Sequence, residues 1–391
     1  MFKVLTLNNI AVEGLRRLPR ERYEVASEMA HPDAILLRSQ NMHDMEIPSS
    51  VAAIGRAGAG TNNIPIDAMS ARGVPVFNAP GANANAVKEL AIAGMLIGAR
   101  NLCRASEYVS ALSETGDALN KAVEAGKKQF VGFELPGKTL GVIGLGAIGV
   151  EVANAALALG MKVVGFDPAI TVSNAWQLSS GVKYAETLDQ LFQNADFVTL
   201  HVPLIDATKN LVNADRLALM KKGSVLVNFA RGGIVDDAAA IAALDSGKLH
   251  SYVSDFPTPE LINHSKAVAL PHLGASTTEA EENCAIMVTE NVKDYLENGN
   301  IRFSVNFPEA RLPRLDAWRI TLANANVPNM VGQVSTCIAN ARLNIEDLLN
   351  KSVGEFAYTI VDVNKEPTQE LLEAISSIDG VLTLRNLGKP V

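Results

Sequence analysis

Three residues that together could bind a carboxylate and move a proton occur in the second half of the sequence. They are Arg231, Glu260 and His272, separated by 29 and 12 residues. The planar guanidinium of an arginine can hold a carboxylate through two parallel hydrogen bonds. A histidine can exchange a proton near neutral pH, and a neighbouring glutamate can fix its tautomer and stabilise its charged form. Neither spacing fits one helix or hairpin, so only the fold can bring the three together.

Each of these residues follows a short apolar run that predicts a buried strand. The three runs are 224–228, 251–254 and 267–270. Because the carboxyl ends of parallel strands meet at one edge of a sheet, where ligands bind, we expect Arg231, Glu260 and His272 to converge there. A lone arginine is usually a surface residue and a lone His–Glu pair is usually structural, so the prediction depends on their coincidence at adjacent strand ends.

The stretch 138–167 carries a glycine pattern that indicates a nucleotide-binding turn. It opens with a short apolar run, and Gly144, Gly146 and Gly149 follow as G-x-G-x-x-G. The first glycine permits a tight turn, the second lets a pyrophosphate approach the backbone, and the third lets helix and strand pack closely. Asp167 ends the next predicted strand, eighteen residues after Gly149. Its carboxylate would bind a ribose 2′-hydroxyl and repel a 2′-phosphate, so we predict NAD rather than NADP.

Beside a nicotinamide ring, the three residues would complete the machinery for oxidising a 2-hydroxy acid. Arg231 would hold the substrate carboxylate, and His272 would take the hydroxyl proton as hydride leaves. Glu260 would orient His272, and Asp255, nearer its strand, would bind the nicotinamide carboxamide. The expected cofactor contacts are Gly144, Gly146, Ala147, Ile148, Gly149, Asp167, Val202, Pro203, Phe229, Ala230, Arg231, Asp255, His272 and Gly274.

Length, composition and charge narrow the class of protein. The 391 residues are 48% hydrophobic and 19% charged, which is a globular composition with room for two or three domains. A net charge of −8 argues against nucleic-acid and anionic-membrane partners. The three cysteines have no metal-ligand spacing, so we expect no metal site and a reducing cytosol. The N-terminus has no signal architecture and the longest apolar run, 91–99, cannot span a bilayer, which predicts a soluble cytoplasmic protein.

The chain before the glycine turn reads as a separate α/β domain. Residues 1–97 alternate strand-like runs with short helices and contain no dinucleotide fingerprint. A glycine-rich loop at 56–60 could offer backbone N–H groups to an anion beside Arg56, or it could be an ordinary turn. The apolar spacing at 86–112 predicts one long helix that bridges two domains or faces a partner subunit through residues such as Met95.

The rest of the chain predicts two further domains. From residue 138 strands and helices alternate as in a doubly wound parallel sheet, the Rossmann arrangement. A helix at 280–296 would return the chain to the first domain, and 301–307 could complete it. Residues 317–391 predict β-α-β-β-α-β, the ferredoxin-like plan. The predicted domains are a flavodoxin-like substrate domain (1–97 with 283–307), an NAD-binding domain (98–282) and a C-terminal domain (317–391).

The chain resembles the D-isomer-specific 2-hydroxyacid dehydrogenases. The matching stretches are GRAGAG at 55–60, GKTLGVIGLGAIG at 137–149, VNFARGGIVDD at 227–237, the segment from Asp255 to Glu260, and PHLGAST at 271–277. The resemblance implies the roles given above and adds Arg56, Gly58 and Ala59 as substrate-binding residues. One segment departs from the family pattern D-V-F-x-x-E-P, because this chain has Asp-Phe-Pro-Thr-Pro-Glu-Leu with the acidic spacing kept.

The C-terminal domain resembles an ACT domain, a regulatory module that some members of this family carry for feedback by L-serine. Asn326 and Asn344 match positions that bind serine in the regulated enzymes. Two positions differ, because Asn324 stands where a histidine is common and Asn329 where a glycine follows the proline. Serine binding is therefore a hypothesis for this chain.

The resemblance leaves more than one function open. Similarity across the chain and the ACT-like domain favour D-3-phosphoglycerate as the substrate, in the first step of L-serine biosynthesis, with Arg38 and Arg56 as candidate phosphate ligands. Another 2-hydroxy acid, as in a glyoxylate or hydroxypyruvate reductase, is the first alternative. A corepressor-like protein that senses NAD is the second. The apolar helix near Met95 and the extra domain indicate a homo-oligomer, either a dimer or a tetramer.

Overall fold

The computed structural model describes residues 1–390 and divides the chain into two compact units. One unit comprises Met1–Ala82 and the chain from Glu281 onward, and the other is Asn83–Ala280. Val391, the last residue of the predicted C-terminal domain, lies outside the described residues. In the part of the chain that is described, no helix is long and apolar enough to cross a membrane.

The first unit opens with a five-stranded parallel sheet in the order β2-β1-β3-β4-β5. Its elements are β1 (Phe2–Leu7), α1 (Val12–Leu15), β2 (Tyr23–Ala26), β3 (Ala34–Leu37), β4 (Ala53–Arg56), α2 (Ile66–Ala71) and β5 (Val76–Phe77). This strand order is the flavodoxin-like one and confirms the predicted class of this region. The sequence of strand β2 does not indicate a strand by itself, because its four residues mix polar and apolar side chains without a clear period.

The second unit contains a seven-stranded parallel sheet in the order β12-β11-β10-β9-β6-β7-β8. Its elements are α3 (Ala84–Arg100), α4 (Leu102–Ser110), α5 (Gly116–Gly126), a 3₁₀ helix (Lys127–Phe130), β6 (Thr139–Ile143), α6 (Ala147–Ala158), β7 (Lys162–Phe166), α7 (Val172–Gln177), β8 (Lys183–Tyr184), α8 (Leu188–Asn194), β9 (Phe197–Leu200), α9 (Ala214–Leu219), β10 (Ser224–Asn228), α10 (Asp237–Asp245), β11 (Leu249–Ser254), α11 (Pro259–Ile262) and β12 (Ala267–Ala269). The order reverses between β6 and β9, which is the switch point of a doubly wound sheet. The predicted Rossmann arrangement is thus confirmed.

The predicted single helix at 86–112 is wrong, because the chain forms two helices there. Asn101 adopts a left-handed conformation, with φ 55°, between α3 and α4. A residue in this conformation ends a helix. The N–H of Phe133 donates a hydrogen bond to the carbonyl of Ala99 in the last turn of α3.

The face of α3 that we expected to meet another domain or subunit is packed inside the second unit. Met95, Ala91 and Ala99 are fully buried in the core against strands β10 and β11. A Cβ at Gly94 would lie 2.7 Å from the ring of Phe229, so the helix sits directly on the sheet. The predicted domain boundary at 97 falls within this helix, whereas the division of the structure precedes it.

The first unit ends with a long helix and a four-stranded antiparallel sheet in the order β14-β15-β13-β16. Its elements are α12 (Thr278–Asn298), β13 (Trp318–Ala325), α13 (Met330–Asn340), β14 (Ile345–Val353), β15 (Phe356–Val363), α14 (Gln369–Ser376) and β16 (Val381–Gly388). The ferredoxin-like order of elements is confirmed. Between α12 and β13, Ser304 forms a single antiparallel bridge to Phe77 at the edge of the first sheet.

The C-terminal sheet is attached to the end of α12 by hydrogen bonds to main-chain carbonyls. The guanidinium of Arg385 donates to the carbonyls of Tyr295 and Leu296, and its Cζ lies 4.4 Å from the centre of the Tyr295 ring. The buried hydroxyl of Tyr358 donates to the carbonyl of Gly299. The carbonyl of Leu296 lies in the last turn of α12, where carbonyls lack partners within the helix, and these bonds anchor the sheet there.

Candidate active site

The carboxyl ends of strands β10, β11 and β12 lie side by side in the second unit. Asn228 pairs with Ser254, and Ser254 pairs with Ala269, in parallel register. A cavity of about 340 Å³ opens beyond these ends. It is lined by Asn228, Gly232, Gly233, Asp237, Tyr252, Asp255, Phe256, Pro257, Thr258 and His272. Of the residues predicted for the site, His272 and Asp255 line this cavity, and the loop of Arg231 contributes Gly232 and Gly233.

Arg231 lies in a loop whose main chain is hydrogen-bonded to the side chain of Asn228. The side-chain N–H of Asn228 donates to the carbonyl of Arg231 over 2.9 Å, and its Oδ1 accepts from the N–H of Ala230 over 3.1 Å. The Arg231 side chain is exposed, and its Nη1 donates to the carbonyl of Ala230. Several donors of the guanidinium consequently face away from the protein, where they can bind an anion.

His272 occupies a strained turn at the edge of the cavity. Its φ of 43° is in the left-handed region, which is uncommon for a residue other than glycine, asparagine or aspartate. Its N–H donates to the carbonyls of Asp255 and Leu270, which hold the turn. The imidazole is exposed and packs on Phe256 with ring centres 4.9 Å apart. Backbone strain of this kind is concentrated at functional sites.

The hydrogen bond that we expected between Glu260 and His272 is not formed within residues 1–390. Glu260 lies exposed in the first turn of α11, and its negative charge interacts electrostatically with Asp237 at the start of α10. Burial raises the pKa of Asp237, and the charge of Glu260 raises it further. The imidazole is turned onto Phe256 instead, so the acid-base role of Glu260 stays a prediction.

Asp255 follows β11 and is completely buried. One of its oxygens, Oδ2, accepts the N–H of Gly274 over 3.1 Å. The other, Oδ1, is buried with no hydrogen-bond partner among the described residues. Burial raises the pKa of Asp255, against the opposing effects of the Gly274 N–H, of His272 and of the backbone N–H groups of Asp255 and Leu273. An unpartnered carboxylate oxygen in this position calls for a donor such as a carboxamide N–H₂.

The glycine turn after β6 has the backbone geometry that the pattern predicts. Gly144 has φ 90°, and a Cβ there would lie 2.5 Å from the carbonyl of His201. A Cβ at Gly149 would lie 1.8 Å from the carbonyl of Gly144, so helix α6 can approach the strand only with glycine there. Gly146 has open space around its missing Cβ and precedes α6 without a side-chain cap. The N–H groups of the helix end are thus accessible to a pyrophosphate.

Asp167 follows β7 and fastens the same turn. Its Oδ2 accepts the N–H of Leu145 and its Oδ1 accepts the N–H of Ala169, each over 2.8 Å. The side chain is half-buried, so further lone pairs remain for a ribose hydroxyl. Among the other expected cofactor contacts, Val202 and Ala230 are partly exposed at strand ends, but Phe229 is buried against α3 and can offer only its main chain.

Sequence reasoning missed three residues at this edge of the sheet. Asn228 supports the loop of Arg231, and Phe256 packs on His272. His201 follows β9, where burial lowers the pKa of its imidazole to about 4 and its Nε2 lies 3.0 Å from the hydroxyl of Thr199. Asn228 and His201 are polar residues at the ends of buried strands, which is the signal that could have found them. No periodicity indicates Phe256.

The loop with Arg56 in the first unit is built around that side chain. The Nε of Arg56 donates to the carbonyl of Arg38, and the guanidinium lies so close to Gly58 that a Cβ there would be 1.8 Å from Nη1. Gly58 has φ 148°, and the carbonyl of Ala59 accepts the side-chain N–H of Asn78 over 2.6 Å. The glycine is needed because the arginine folds over it.

The two asparagines expected to bind a regulator, Asn326 and Asn344, are exposed just after β13 and just before β14. The side-chain amide of Asn326 donates to the carbonyl of Gly354, and the N–H of Asn344 donates to Asn364 Oδ1. Asn329, at the position where glycine is common, has φ 64°, a conformation that asparagine tolerates. Asn324 is buried, and its Oδ1 has no hydrogen-bond partner within the described chain.

The donor set fits an NAD molecule. The accessible N–H groups after Gly146 suit a pyrophosphate, the Asp167 carboxylate suits an unphosphorylated ribose, and Asp255 Oδ1 suits the nicotinamide carboxamide. All three lie at the carboxyl edge of one doubly wound sheet, which is where such sheets bind dinucleotides. This fold and site define an NAD-dependent dehydrogenase domain.

Comparison with known proteins agrees with this class. Residues 92–274 match the family model described as the NAD-binding domain of D-isomer specific 2-hydroxyacid dehydrogenases. The chain is 34% identical over 355 residues to D-3-phosphoglycerate dehydrogenase of Haemophilus influenzae, which covers 88% of this chain and 83% of that protein. It is 37% identical over 284 residues to hydroxypyruvate reductase of Thermotoga maritima, with 70% and 87% covered. The chain belongs to the D-isomer-specific 2-hydroxyacid dehydrogenase family.

Solved structures show the same relationship. The NAD⁺-bound 3-phosphoglycerate dehydrogenase of Entamoeba histolytica superposes with a TM-score of 0.59 and 26% identity, over 78% of this chain and 98% of that one. The chain spans only part of some other relatives, such as 64% of the D-3-phosphoglycerate dehydrogenase of Methanocaldococcus jannaschii, to which it is 33% identical.

Proposed function

We propose that the protein oxidises D-3-phosphoglycerate to 3-phosphohydroxypyruvate with NAD, which is the first step of L-serine biosynthesis. The observation that supports this proposal is a cavity at one sheet edge that is lined by His272, by the buried Asp255 and by the glycines that follow the exposed Arg231. The relatives that are D-3-phosphoglycerate dehydrogenases support the choice of substrate.

In this mechanism the chain's own residues bind the acid and move one proton. Arg231 holds the substrate carboxylate through its outward N–H groups. The imidazole of His272 accepts the hydroxyl proton during oxidation and returns it during reduction. A bound NAD would supply the acceptor for the hydride that leaves the carbon bearing the hydroxyl. Glu260 stabilises the imidazolium that results, and Asp255 orients the nicotinamide through its carboxamide.

The substrate phosphate requires cations in addition to Arg231. We propose Arg56, with Gly58 and Ala59, as further substrate-binding residues and Arg38 as a second cation. The support is that the Arg56 guanidinium is held on a glycine loop at the end of β4. Arg38 Nη2 pairs with Glu281 Oε1 at 2.7 Å, so a phosphate would have to replace that carboxylate. Charge-assisted pairs of this type favour a doubly charged phosphate over an uncharged group.

The test is the rate of NADH oxidation by the purified protein with three 2-oxo acids. We expect 3-phosphohydroxypyruvate to be reduced far faster than glyoxylate or pyruvate, because only the first brings a phosphate. Equal kcat/KM values for all three would remove the substrate assignment while leaving the reaction class in place.

A second candidate function keeps the chemistry and changes the acid. The similarity to hydroxypyruvate reductase of Thermotoga maritima, over 87% of that protein, favours it. In that case hydroxypyruvate would match or exceed its phosphorylated form in the same assay. A protein that only senses NAD would bind NADH but would not oxidise it in the presence of any of these acids.

We propose that L-serine binds the ACT-like domain and lowers the activity. The exposed Asn326 and Asn344 and the unpartnered Oδ1 of Asn324 support a small polar ligand there. Serine should inhibit the native protein and lose its effect in Asn326→Ala and Asn344→Ala. If millimolar serine leaves the activity unchanged, the proposal that serine inhibits through this domain is wrong.

We also propose that the protein is a cytoplasmic homo-oligomer. Its three cysteines are all free, which suits a reducing compartment. Leu102, Val109 and Val131 are 48%, 51% and 76% exposed, and such apolar side chains favour burial against another copy. Light scattering that reports a monomer at assay concentration would overturn the oligomer.

A further inference from the structure

Phe256 connects the two loops that the proposed mechanism uses. Its ring centre lies 4.9 Å from that of His272, with a 49° angle between the ring planes. On the other side its Cβ would be 3.5 Å from a Cβ at Gly232, the residue after Arg231. The N–H of Phe256 donates to the hydroxyl of Ser254, which ties it to the end of β11. Phe256 therefore fills the space between the imidazole and the arginine loop.

Apart from Phe256, few contacts restrict the orientation of the His272 imidazole. The backbone is fixed by its hydrogen bonds to Asp255 and Leu270, but within residues 1–390 no side chain or main-chain group forms a hydrogen bond with the ring. A side chain with two free torsions on an exposed turn would sample several rotamers. Aromatic pairs at this separation prefer tilted or offset geometries, so the contact with Phe256 restricts the ring.

We propose that Phe256 is a positioning residue that holds the His272 imidazole in its orientation for proton transfer to and from the substrate. The proposal rests on the proposed function of His272 as acid and base. It also accounts for the altered segment in this chain, where phenylalanine directly follows Asp255 and the family pattern has valine. A valine side chain would leave a gap between the imidazole and Gly232.

The test compares Phe256→Leu with Phe256→Tyr in the full-length protein, using the 2-oxo acid that the native protein reduces fastest. Small displacements of a reacting group cost up to about a hundredfold in rate, so we expect kcat of Phe256→Leu to fall by roughly ten- to a hundredfold. Phe256→Tyr keeps the ring and should stay within about threefold of the native kcat. The dissociation constant for NADH should be the same in all three proteins.

Two measurements separate positioning from a general structural effect. The solvent deuterium isotope effect on kcat should rise in Phe256→Leu, because proton transfer becomes slower relative to the other steps. In the NMR spectrum, the ring protons of His272 should lose the upfield ring-current shift from Phe256, a result that needs no turnover. Should Phe256→Leu fail to fold, Phe256→Met offers a similar volume without a ring.

The proposal is overturned by a native kcat in Phe256→Leu, or by equal losses in the leucine and tyrosine variants. Unchanged His272 ring shifts would overturn it independently of activity. Failure of the native protein to reduce any 2-oxo acid would instead remove the proposed function, and the NMR result would still decide whether Phe256 orients the ring.

Discussion

Two arginines show how differently the two compact units use the same side chain. Arg319, on β13 in the first unit, is completely buried, and its guanidinium makes five hydrogen bonds. Two go to the carboxylate of Asp362 at 2.7 Å, and the others go to main-chain carbonyls of Asn298, Leu312 and Pro313. Arg231, in the second unit, is exposed and donates to one carbonyl.

The difference distinguishes a structural charge from a binding one. An arginine has five donors, and in Arg319 all of them are taken by the protein. Its removal would leave Asp362 buried and unpaired. In Arg231 most donors are left for a ligand, so its removal should cost binding and not stability. Polar groups whose hydrogen bonds are all made within the protein stabilise the fold, whereas groups with donors left over can bind a ligand.

The two aspartates follow the same rule. Asp362 has both oxygens paired with Arg319, whereas Asp255 has one oxygen paired and one buried without a partner. A buried polar atom without a partner costs free energy in the absence of ligand. The site therefore carries a cost in the free protein that a bound carboxamide would relieve.

The largest expected effect is on stability and comes from Arg319→Met. Because the variant leaves the carboxylate of Asp362 buried without its partner, the free energy of unfolding should fall by about 3–5 kcal/mol. Arg231→Met, the matched control, should stay within about 0.5 kcal/mol of the native protein. Urea unfolding followed by tryptophan fluorescence measures both. Equal midpoints for the two variants would break the comparison.

A pair of glycine variants tests the same contrast inside the glycine turn. Gly149→Ala forces a Cβ to 1.8 Å from a carbonyl oxygen and should destabilise the fold, whereas Gly146→Ala meets no atom within 4 Å. The new methyl group at residue 146 would instead keep the pyrophosphate from the helix end. We expect NADH affinity to fall by about ten- to a hundredfold with unchanged stability, since charge-assisted hydrogen bonds are lost. Fluorescence titration measures the affinity for NADH, and thermal unfolding measures the stability. Native NADH affinity in Gly146→Ala would argue against a pyrophosphate at this turn.

Asp255→Asn should change stability and binding in opposite directions. The raised pKa of Asp255 means that its ionised form is disfavoured in the folded protein. The cost is absent below the ordinary value of 3.8, and it grows as the pH rises through the raised pKa. The variant removes this charge, so its stability relative to the native protein should increase over that interval and then remain constant. NADH should bind about tenfold more weakly, because asparagine has one acceptor oxygen, and if that oxygen accepts from the N–H of Gly274 the N–H₂ group faces the donor of the carboxamide. A stability difference that does not vary with pH would contradict the linkage.

Much of the fold could be predicted because buried parallel strands are continuous apolar runs. Strand Ser224–Asn228 has the bounds that its run predicts, and Leu249–Ser254 ends where its run ends. The glycine turn and Asp167 predicted the edge of the sheet that would bind a nucleotide. Parallel pairing then brings the strand ends together whatever the loops between them contain.

The loops and junctions could not be predicted in the same way, because their contacts depend on side chains far apart in sequence. Nothing local indicates that Asn101 ends α3, that Phe256 packs on the imidazole of His272, or that the charge of Glu260 raises the pKa of Asp237. Arg319 is the second residue of β13, and the sequence does not reveal its partner Asp362, 43 residues later.

The most direct test of the central claim is the kcat of His272→Asn with 3-phosphohydroxypyruvate at saturating NADH. Asparagine is chosen because it tolerates the left-handed backbone at this position, so the turn should persist. General acid-base catalysis contributes about 10²–10⁴-fold, and we predict a loss of that size with native NADH affinity and native unfolding. A variant that keeps a kcat close to the native one would show that this imidazole does not carry the proton, and the proposed site would be wrong.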